Sequence, residues 1–273
     1  MLRRIFLVCA WCAAACAQSN FRFVILGDRT GETVPGVYAQ AWKELAAENP
    51  AFVLSVGDTI QGLNDATAEK EWQILRAYRL FPLFLAPGNH DIWSPESERL
   101  FRKYSGHALH YSFDRLQAHF TILDNSRSDQ FSPVEMDFLQ KDLEAHQAQP
   151  VKFVVSHRPS WIIDAILGNS NFPLHRLAKQ YGVKYVIAGH VHQMVHIELD
   201  GVTYLSMPSA GGHLRASGKY EDGWFFAYTV AEVSGETVAF RVHELKPPNG
   251  QGRVTALEDW GRAGLRREKQ TAP

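Results

Sequence analysis

The chain contains four apolar runs of strand length, and each is followed by a glycine, in one case after an intervening proline. The residue after each glycine has a polar side chain of a type that binds metal ions. Continuous apolar runs of this length are typical of strands that are buried on both faces of a sheet. The runs are residues 23–26, 52–56, 83–86 and 185–188. Because open α/β sheets build their sites at the carboxyl ends of strands, the polar side chains after these runs are predicted to meet there.

Segments with helical periodicity separate these strands. Apolar positions at helical spacing predict helices over residues 36–48, 66–80, 132–147 and 172–181. Further strands are predicted at residues 110–113, 119–123 and 151–156, and hairpins at residues 195–207 and 224–244. Helices and strands alternate first and antiparallel strands follow, which predicts one α/β domain over residues 18–245.

The N-terminal residues have the composition of a secretory signal peptide. Arg3 and Arg4 precede an apolar stretch, and the small residues around Cys16 and Ala17 fit a cleavage site before Gln18. The apolar stretch is too short to span a bilayer comfortably. We therefore expect residues 1–17 to be removed and the mature protein to be exported, periplasmic or extracellular, with no stable membrane insertion after cleavage. A buried N-terminal helix is the alternative, but no amphipathic period supports it.

All 3 cysteines of the chain lie in this leader, so the mature protein is expected to contain neither a thiol nor a disulfide. Lipid attachment at Cys16 is the less favoured alternative, because the preceding alanines lack the bulky aliphatic residue that lipoprotein signals usually carry. At the other end, residues 246–273 contain prolines, glycines and few apolar positions, which predicts a loosely ordered C-terminal tail.

The charge of the chain is nearly balanced. Its 273 residues include 28 Lys and Arg against 29 Asp and Glu, which gives a formal net charge of −1. This balance offers no electrostatic basis for binding nucleic acid or an anionic membrane surface.

The polar residues after the apolar runs form a candidate metal site. Its ligands would be Asp28, Asp58, Asn89, His157, His190 and His192. A mixed nitrogen and oxygen set without sulfur suits manganese, iron or zinc better than calcium or magnesium. Asp58 has two carboxylate oxygens and can bridge two cations, whose remaining positive charge would attract a phosphate and lower the pKa of a bound water. Ordinary hydrogen-bonding roles are the alternative for each residue taken alone.

Neighbouring residues complete the predicted site. His90 follows Asn89 and is the expected general acid for the leaving oxygen, with Asp91 placed to orient its ring. Arg29, Asn89 and His213 are the candidate substrate contacts. Arginine suits recognition of phosphate through several donors, although a solvated loop position is an equal alternative for Arg29.

The motifs as a set resemble those of the calcineurin-like metallophosphoesterases over about residues 21–245. The resemblance rests on Gly27-Asp28, Gly57-Asp58, Gly88-Asn89-His90-Asp91, His157 and Gly189-His190-Val191-His192. It implies two mixed β-sheets packed face to face and flanked by helices, a four-layer α/β/β/α sandwich, with a dinuclear metal centre. It further implies that Asp28, Asp58 and His192 hold the first metal, that Asp58, Asn89, His157 and His190 hold the second, and that His90 is the catalytic histidine.

One position departs from the family pattern. The family usually has Asp-x-His in the first block, whereas this chain has Asp28-Arg29-Thr30. The block Asp58-Thr59-Ile60-Gln61 supplies neither the missing imidazole nor the tyrosine of the purple acid phosphatase branch. The first metal is therefore expected to bind weakly, or to complete its shell with water or with the Thr30 hydroxyl.

The predicted function is that of an exported hydrolase of a phosphate mono- or diester, in which a metal-bound hydroxide attacks phosphorus at a dinuclear centre. The expected partner is a small-molecule or exposed phosphate ester. The alternative is a secreted metal- or phosphate-binding protein of the same fold whose turnover is weak or lost because of the incomplete first metal shell. A metal-dependent hydrolase of a non-phosphate ester is compatible with the ligands but has no specific support.

Overall fold

The computed structural model describes residues 20–78, 80–246 and 250–266. The predicted signal peptide, residues 1–17, lies outside the described residues. Within the described part of the chain, no helix is both long enough and apolar enough to cross a membrane.

The first sheet has 6 strands in the order β12-β11-β10-β1-β2-β3. These strands are β1 (Asn20–Leu26), β2 (Val53–Ser55), β3 (Leu83–Leu85), β10 (Ala227–Ser234), β11 (Thr237–Lys246) and β12 (Gly250–Ala256). β1, β2 and β3 are mutually parallel, so their carboxyl ends lie along one edge of the sheet. β10, β11 and β12 continue the sheet in antiparallel pairs from the other side of β1.

The second sheet also has 6 strands, in the order β4-β5-β6-β7-β9-β8. They are β4 (Tyr111–Arg115), β5 (Ala118–Ile122), β6 (Val151–Val155), β7 (Tyr185–Ala188), β8 (Val195–Leu199) and β9 (Val202–Ser206). β5, β6, β7 and β9 run parallel, and β4 and β8 are antiparallel edge strands. A separate two-stranded ribbon pairs β13 (Trp260–Gly261) with β14 (Gly264–Leu265).

The two sheets pack face to face through an aromatic core. Phe120 on the second sheet stacks on Phe153 at 4.6 Å between ring centroids, and it meets Phe23 of the first sheet edge-on at 5.2 Å. Alternate residues of β1 point to opposite faces, as a strand requires. Phe23 and Ile25 therefore face the other sheet, while Val24 faces the helices.

Six α-helices cover the outer faces of the sheets within the described residues. They are α1 (Val37–Leu45), α2 (Asp65–Ile74), α3 (Pro95–Ser105), α4 (Pro133–Ala145), α5 (Ile162–Leu167) and α6 (Pro173–Tyr181). The first three contribute to the core outside the first sheet, and the last three contribute to the core outside the second. The predicted four-layer α/β/β/α sandwich is confirmed.

Helix α3 was not predicted, although its start carries a recognisable signal. Ser94 accepts a hydrogen bond from the backbone N–H of Ser97, and Pro95 occupies the first helical position. The same serine–proline start identified the helix that begins at Pro133. Five of its residues are buried at helical spacing, but two of them are serines, which weakens the apolar pattern in the sequence.

The prediction of a loosely ordered tail is wrong for residues 250–266. β12 pairs with β11 and extends the first sheet. Trp260 is completely buried in the core between the sheets, and its indole N–H donates to the Thr255 hydroxyl at 2.7 Å. One large buried side chain thus anchors a segment whose composition is otherwise polar and rich in turn residues.

A charged network lies between α4 and the edge of the second sheet. His119 is completely buried, with Nδ1 at 2.7 Å from the Asp114 carboxylate and Nε2 at 2.9 Å from that of Asp142. The His146 ring stacks on it at 3.9 Å. Burial alone would lower the pKa of His119, but the hydrogen bonds and charges of both carboxylates raise it above its ordinary value. Burial would raise the pKa of Asp142, but its bonds to His119 and nearby hydroxyls lower it.

Replacing His119 with alanine should remove the closer of the two imidazoles beside the buried Asp142 carboxylate and leave it only His146, at 3.3 Å. We expect the free energy of unfolding, measured by urea denaturation, to fall by about 3 kcal/mol. The raised pKa of His119 means that its contribution is present at low pH and is lost as pH rises through that pKa. The lowered pKa of Asp142 means that its contribution to stability is lost as pH falls through that pKa. The difference in unfolding free energy between the wild type and the variant should therefore be largest at pH values between the two pKa values.

Lys141→Ala is the control for this measurement. Lys141 pairs with Asp137 on the exposed side of the same helix, and such a pair is worth less than about 1 kcal/mol. Equal unfolding free energies in the His119 and Lys141 variants would contradict the account of the network.

Candidate metal centre

The candidate site lies where the carboxyl ends of the parallel strands of both sheets meet. Asp28 follows β1, Asp58 follows β2 and Asn89 follows β3, so the first sheet provides these three side chains. His157 follows β6, and His190 and His192 follow β7 in the second sheet. The structure brings together all of the predicted ligands, because the strand order makes these ends neighbours.

Close backbone approach explains two of the glycines. A Cβ on Gly88 would lie 2.3 Å from Oδ1 of Asp58, and a Cβ on Gly189 would lie 2.5 Å from Oδ2 of Asp28. Any larger side chain there would displace a carboxylate. The ligands themselves turn sharply, with φ of 51° at Asp58, 68° at His190 and 60° at His192. Left-handed backbone in non-glycine residues is costly and is concentrated at functional sites.

His157 is the centre of the first cluster. Its Nε2 lies 3.0 Å from Oδ1 of Asn89, 3.1 Å from Nδ1 of His190 and 3.3 Å from Oδ2 of Asp58. Its Nδ1 lies 2.9 Å from the carbonyl oxygen of Val56 and donates to it. A histidine that donates from one nitrogen to a carbonyl presents the lone pair of the other to a metal. Ligand atoms of Asp58, His157 and His190 all lie within 4.8 Å of one another, which suits one cation.

The second cluster contains Asp28 and His192. Nδ1 of His192 lies 2.8 Å from the carbonyl oxygen of His213 and donates to it, and Nε2 lies 3.6 Å from Oδ1 of Asp28. Nε2 is buried and has no hydrogen-bond partner among the described residues. A buried polar atom without a partner is unfavourable and needs an explanation. A cation between His192 and Asp28 would satisfy it, so these residues also fit a metal.

Thr30, at the position that departs from the family pattern, is hydrogen-bonded to Gln61. Thr30 is completely buried, and its hydroxyl donates to Oε1 of Gln61. The Thr30 oxygen also accepts from the hydroxyl of Thr33 at 3.3 Å. Thr30, which stands where the family usually has histidine, is thus bonded to Gln61 of the second motif block.

The electrostatics of the cluster favour a bound positive charge. Burial alone would raise the pKa of Asp58, but the charges and hydrogen bonds of His157 and His90 lower it below its ordinary range. Burial would lower the pKa of His157, but Asp58 raises it to about 9. Burial and the charges of His157 and Arg158 lower the pKa of His190 to about 4. The Asp58 carboxylate thus stabilises a positive charge at this point, and a divalent cation would supply such a charge.

His90 lies at the rim of the cluster and is half-buried. Its backbone N–H donates to Oδ1 of Asp58 at 2.8 Å, and its Nδ1 lies 2.7 Å from the carbonyl oxygen of Gln61. The carbonyl fixes the ring and leaves Nε2 without a hydrogen-bond partner within the described part of the chain. This placement fits a group that transfers a proton.

The predicted role of Asp91 is wrong, because its side chain does not contact the His90 ring. Asp91 is completely buried, and its carboxylate accepts backbone N–H groups of Thr59 at 2.9 Å, Ile60 at 3.1 Å and Gly88 at 3.0 Å. Burial and the charge of Asp58 raise its pKa to about 7, while the N–H donors oppose that shift. Asp91 instead ties together the two loops that carry Asp58 and Asn89.

The candidate substrate contacts are partly engaged elsewhere. Nη1 of Arg29 donates to the carbonyl oxygen of Thr59 at 3.1 Å, and its guanidinium lies 5.5 Å from the centroid of the Tyr38 ring. The His213 ring contacts the carbonyl oxygen of Gly31. The backbone carbonyl of His213, rather than its ring, has the defined role in the site, since it orients His192.

Two arginines near the cluster were not identified from the sequence. Nη1 of Arg158 lies 3.4 Å from Nε2 of His190 and 2.7 Å from the Asp129 carboxylate. Its position directly after His157 is a signal that could have found it. Arg215 lies beside His192, and no motif surrounds it.

Comparison with known proteins finds a family whose model the sequence matches. A family model described as calcineurin-like phosphoesterase matches residues 21–194. The chain is 27% identical over 191 residues to a 3',5'-cyclic adenosine monophosphate phosphodiesterase, CpdA, of Haemophilus influenzae, and the match covers 66% of this chain and 69% of that protein. It is 26% identical over 259 residues to the human tartrate-resistant acid phosphatase type 5, with 75% and 77% of the two chains covered.

A solved structure shares the fold along nearly the whole chain. The Plasmodium protein GAP50, described as the anchor in the inner membrane complex, superposes with a TM-score of 0.61 at 17% identity. The match covers 92% of this chain and 90% of that one. At this level of identity, the likeness concerns the fold alone.

Proposed function

Because the chain belongs to the calcineurin-like phosphoesterase family, we propose that it hydrolyses a phosphate mono- or diester at a centre of two divalent metal ions. One observation carries the proposal. The hydrogen bond from Nδ1 of His157 to the Val56 carbonyl oxygen turns Nε2 toward the other ligands. Nε2 lies within 3.3 Å of polar atoms of Asn89, His190 and Asp58. A donor set of this type fits manganese, iron or zinc.

The residues divide into two ligand groups that share one carboxylate. Asp28, Asp58 and His192 would hold one cation, and Asp58, Asn89, His157 and His190 would hold the other. When bound, such ions lower the pKa of a coordinated water and neutralise the charge of a phosphate. Asn89 and Arg29 are the candidate phosphate contacts beside these ligands, and Arg29 keeps its bond to the Thr59 carbonyl oxygen.

His90 supplies the proton to the leaving oxygen. Its Nδ1 donates to the Gln61 carbonyl, which holds the ring in place, and Nε2 is free to transfer a proton. The bond from the His90 backbone N–H to Asp58 keeps the ring next to the carboxylate that both ligand groups would share. The two curated relatives are named as a phosphodiesterase and a phosphatase, so both ester classes fall within this proposal.

The protein acts outside the cytoplasm. The basic, apolar and small residues of positions 1–17 support removal of a signal peptide, and the cysteine-free remainder suits an oxidising compartment. N-terminal sequencing of the protein recovered from an exporting host tests this: an unprocessed Met1 in the exported fraction would contradict it.

The proposal is tested by metal removal and replacement. Purified protein reconstituted with manganese should hold two ions per chain and hydrolyse an aryl phosphate monoester, an aryl phosphate diester or both. Dialysis against a chelator should release one ion first, because the Thr30 hydroxyl is bonded to Gln61 and is not free to complete the shell around Asp28 and His192. Activity should disappear on chelation and return with manganese; metal-independent turnover would contradict the proposal.

A second candidate function is a secreted metal- or phosphate-binding protein of the same fold. The Thr30–Gln61 pair favours it, because neither side chain offers the imidazole or phenolate expected at the first metal. A protein that holds one ion or none and shows no turnover with added manganese would support this second function over hydrolysis.

A further inference from the structure

Arg215 is a partly buried cation that has no anionic partner in the described part of the chain. It lies in the loop that follows β9, and the same loop carries His213. Its Nε is buried and makes no hydrogen bond, and no carboxylate of the described residues forms an ion pair with it. A buried donor without a partner and a partly desolvated charge without a counter-ion are both unfavourable.

The guanidinium lies beside the metal ligand His192. Nη2 of Arg215 lies 3.6 Å from the point that a Cβ on Gly31 would occupy, and Cε1 of His192 lies 3.0 Å from that same point. The two side chains are therefore close neighbours at the loop that carries Asp28. The cation is held next to the place where a divalent ion fits, which is an unfavourable position unless an anion also binds there.

The other arginines of the site differ in this respect. Arg158 has its charge balanced by Asp129 at 2.7 Å and donates from Nε to the carbonyl oxygen of Ser126. Arg29 donates to the Thr59 carbonyl. Of these three, Arg215 alone has no acceptor in the described structure, so it is the one whose hydrogen bonds are available to a ligand.

We propose that Arg215 binds a terminal oxygen of the substrate phosphate and makes the enzyme prefer phosphate monoesters to diesters. This inference rests on the proposed function. A monoester has three terminal oxygens and carries almost two negative charges at neutral pH. A diester has two terminal oxygens and a single charge. A guanidinium in addition to two cations therefore contributes more to binding the monoester, and its planar donors match phosphate oxygens.

The test compares Arg215→Gln and Arg215→Lys with the wild type on 4-nitrophenyl phosphate and on its phenyl diester, all reconstituted with manganese. The wild type should have the higher kcat/KM with the monoester. Arg215→Gln should lose about 10- to 100-fold in kcat/KM on the monoester and less than about threefold on the diester. Arg215→Lys keeps the charge without the paired donors and should fall in between.

Two further measurements separate a contact with phosphate from a structural effect. Inorganic phosphate should inhibit the wild type competitively, and its inhibition constant should rise in Arg215→Gln by a similar factor while metal content stays unchanged. Arg99→Gln is the matched control, because Arg99 is an exposed arginine on α3 whose charge is paired with Glu96. It should leave all of these values as in the wild type.

The outcomes distinguish this inference from the proposed function. Equal losses on both substrates, or no loss on the monoester, would overturn the role of Arg215 while leaving hydrolysis intact. If the manganese-loaded wild type hydrolyses neither ester, the proposed function fails. In that case, calorimetric titration with inorganic phosphate still tests whether Arg215 binds an anion. Weaker phosphate binding by Arg215→Gln than by the wild type would support this role, and equal binding would contradict it.

Discussion

His157→Ala is expected to lose the metal ion nearest Asp58 and to reduce kcat by about a thousandfold or more. The imidazole Nε2 lies within 3.3 Å of Asn89, His190 and Asp58, so it joins all the donors of that cluster. A divalent ion contributes several kcal/mol to stabilising the charge of a reacting phosphate, and each factor of ten in rate corresponds to about 1.4 kcal/mol. Metal quantification and kcat on aryl phosphates, measured on the same preparation, check the prediction.

His175→Ala is the matched control for loss of a buried histidine. His175 is 2% exposed and lies on α6, where Nδ1 contacts the hydroxyl of Tyr204 at 2.9 Å. Its removal costs packing, the bond to Tyr204 and a 3.5 Å contact with the Asp200 carboxylate, but no predicted metal ligand. This variant should keep its metal and its kcat. A His157→Ala protein with full metal content and near-normal turnover would show that the cluster is not the metal centre.

His90→Ala is expected to keep its metal and to lose about 10²- to 10⁴-fold in kcat. The backbone N–H of residue 90, which donates to Asp58 at 2.8 Å, is present in alanine, so the carboxylate keeps that hydrogen bond. Only the proton-transferring ring is removed. The loss should be larger for an alkyl leaving group, which needs a proton, than for 4-nitrophenolate, which leaves without one.

His190→Ala provides the contrast to this prediction. His190 contributes a ligand nitrogen at 3.1 Å from Nε2 of His157, so its removal should lower metal content and turnover together. Equal loss of metal in the His90 and His190 variants would contradict the division of roles between them.

The sequence predicts the position of the site because its signal is local. A buried strand, a glycine and a ligand follow each other at Asp28, Asp58 and His190, and parallel strands bring their carboxyl ends to one edge without further information. The two-sheet arrangement is implied by the resemblance that these blocks carry, and the strand order of the structure confirms it. The glycines are explained by the contacts that a Cβ would make with Asp28 and Asp58.

The remaining features depend on contacts between residues that are distant in the chain. Asp91 stands next to His90 in the sequence, but its carboxylate is turned toward the backbone of Thr59 and Ile60, more than 30 residues away. Trp260 anchors a polar segment through burial that composition does not reveal. Arg215 is brought to His192 by the course of a loop without any motif.

Anomalous diffraction from crystals of the full chain grown with manganese locates the metal ions themselves. We expect an anomalous peak at coordinating distance from Asp58, His157 and His190, with a second, weaker peak beside Asp28 and His192. The group of Asp114, His119 and His146 is an internal comparison, since its ligand atoms also lie within 4.8 Å of one another. The absence of a peak beside His157, with or without one at that group, would show that His157 does not lie in the metal centre.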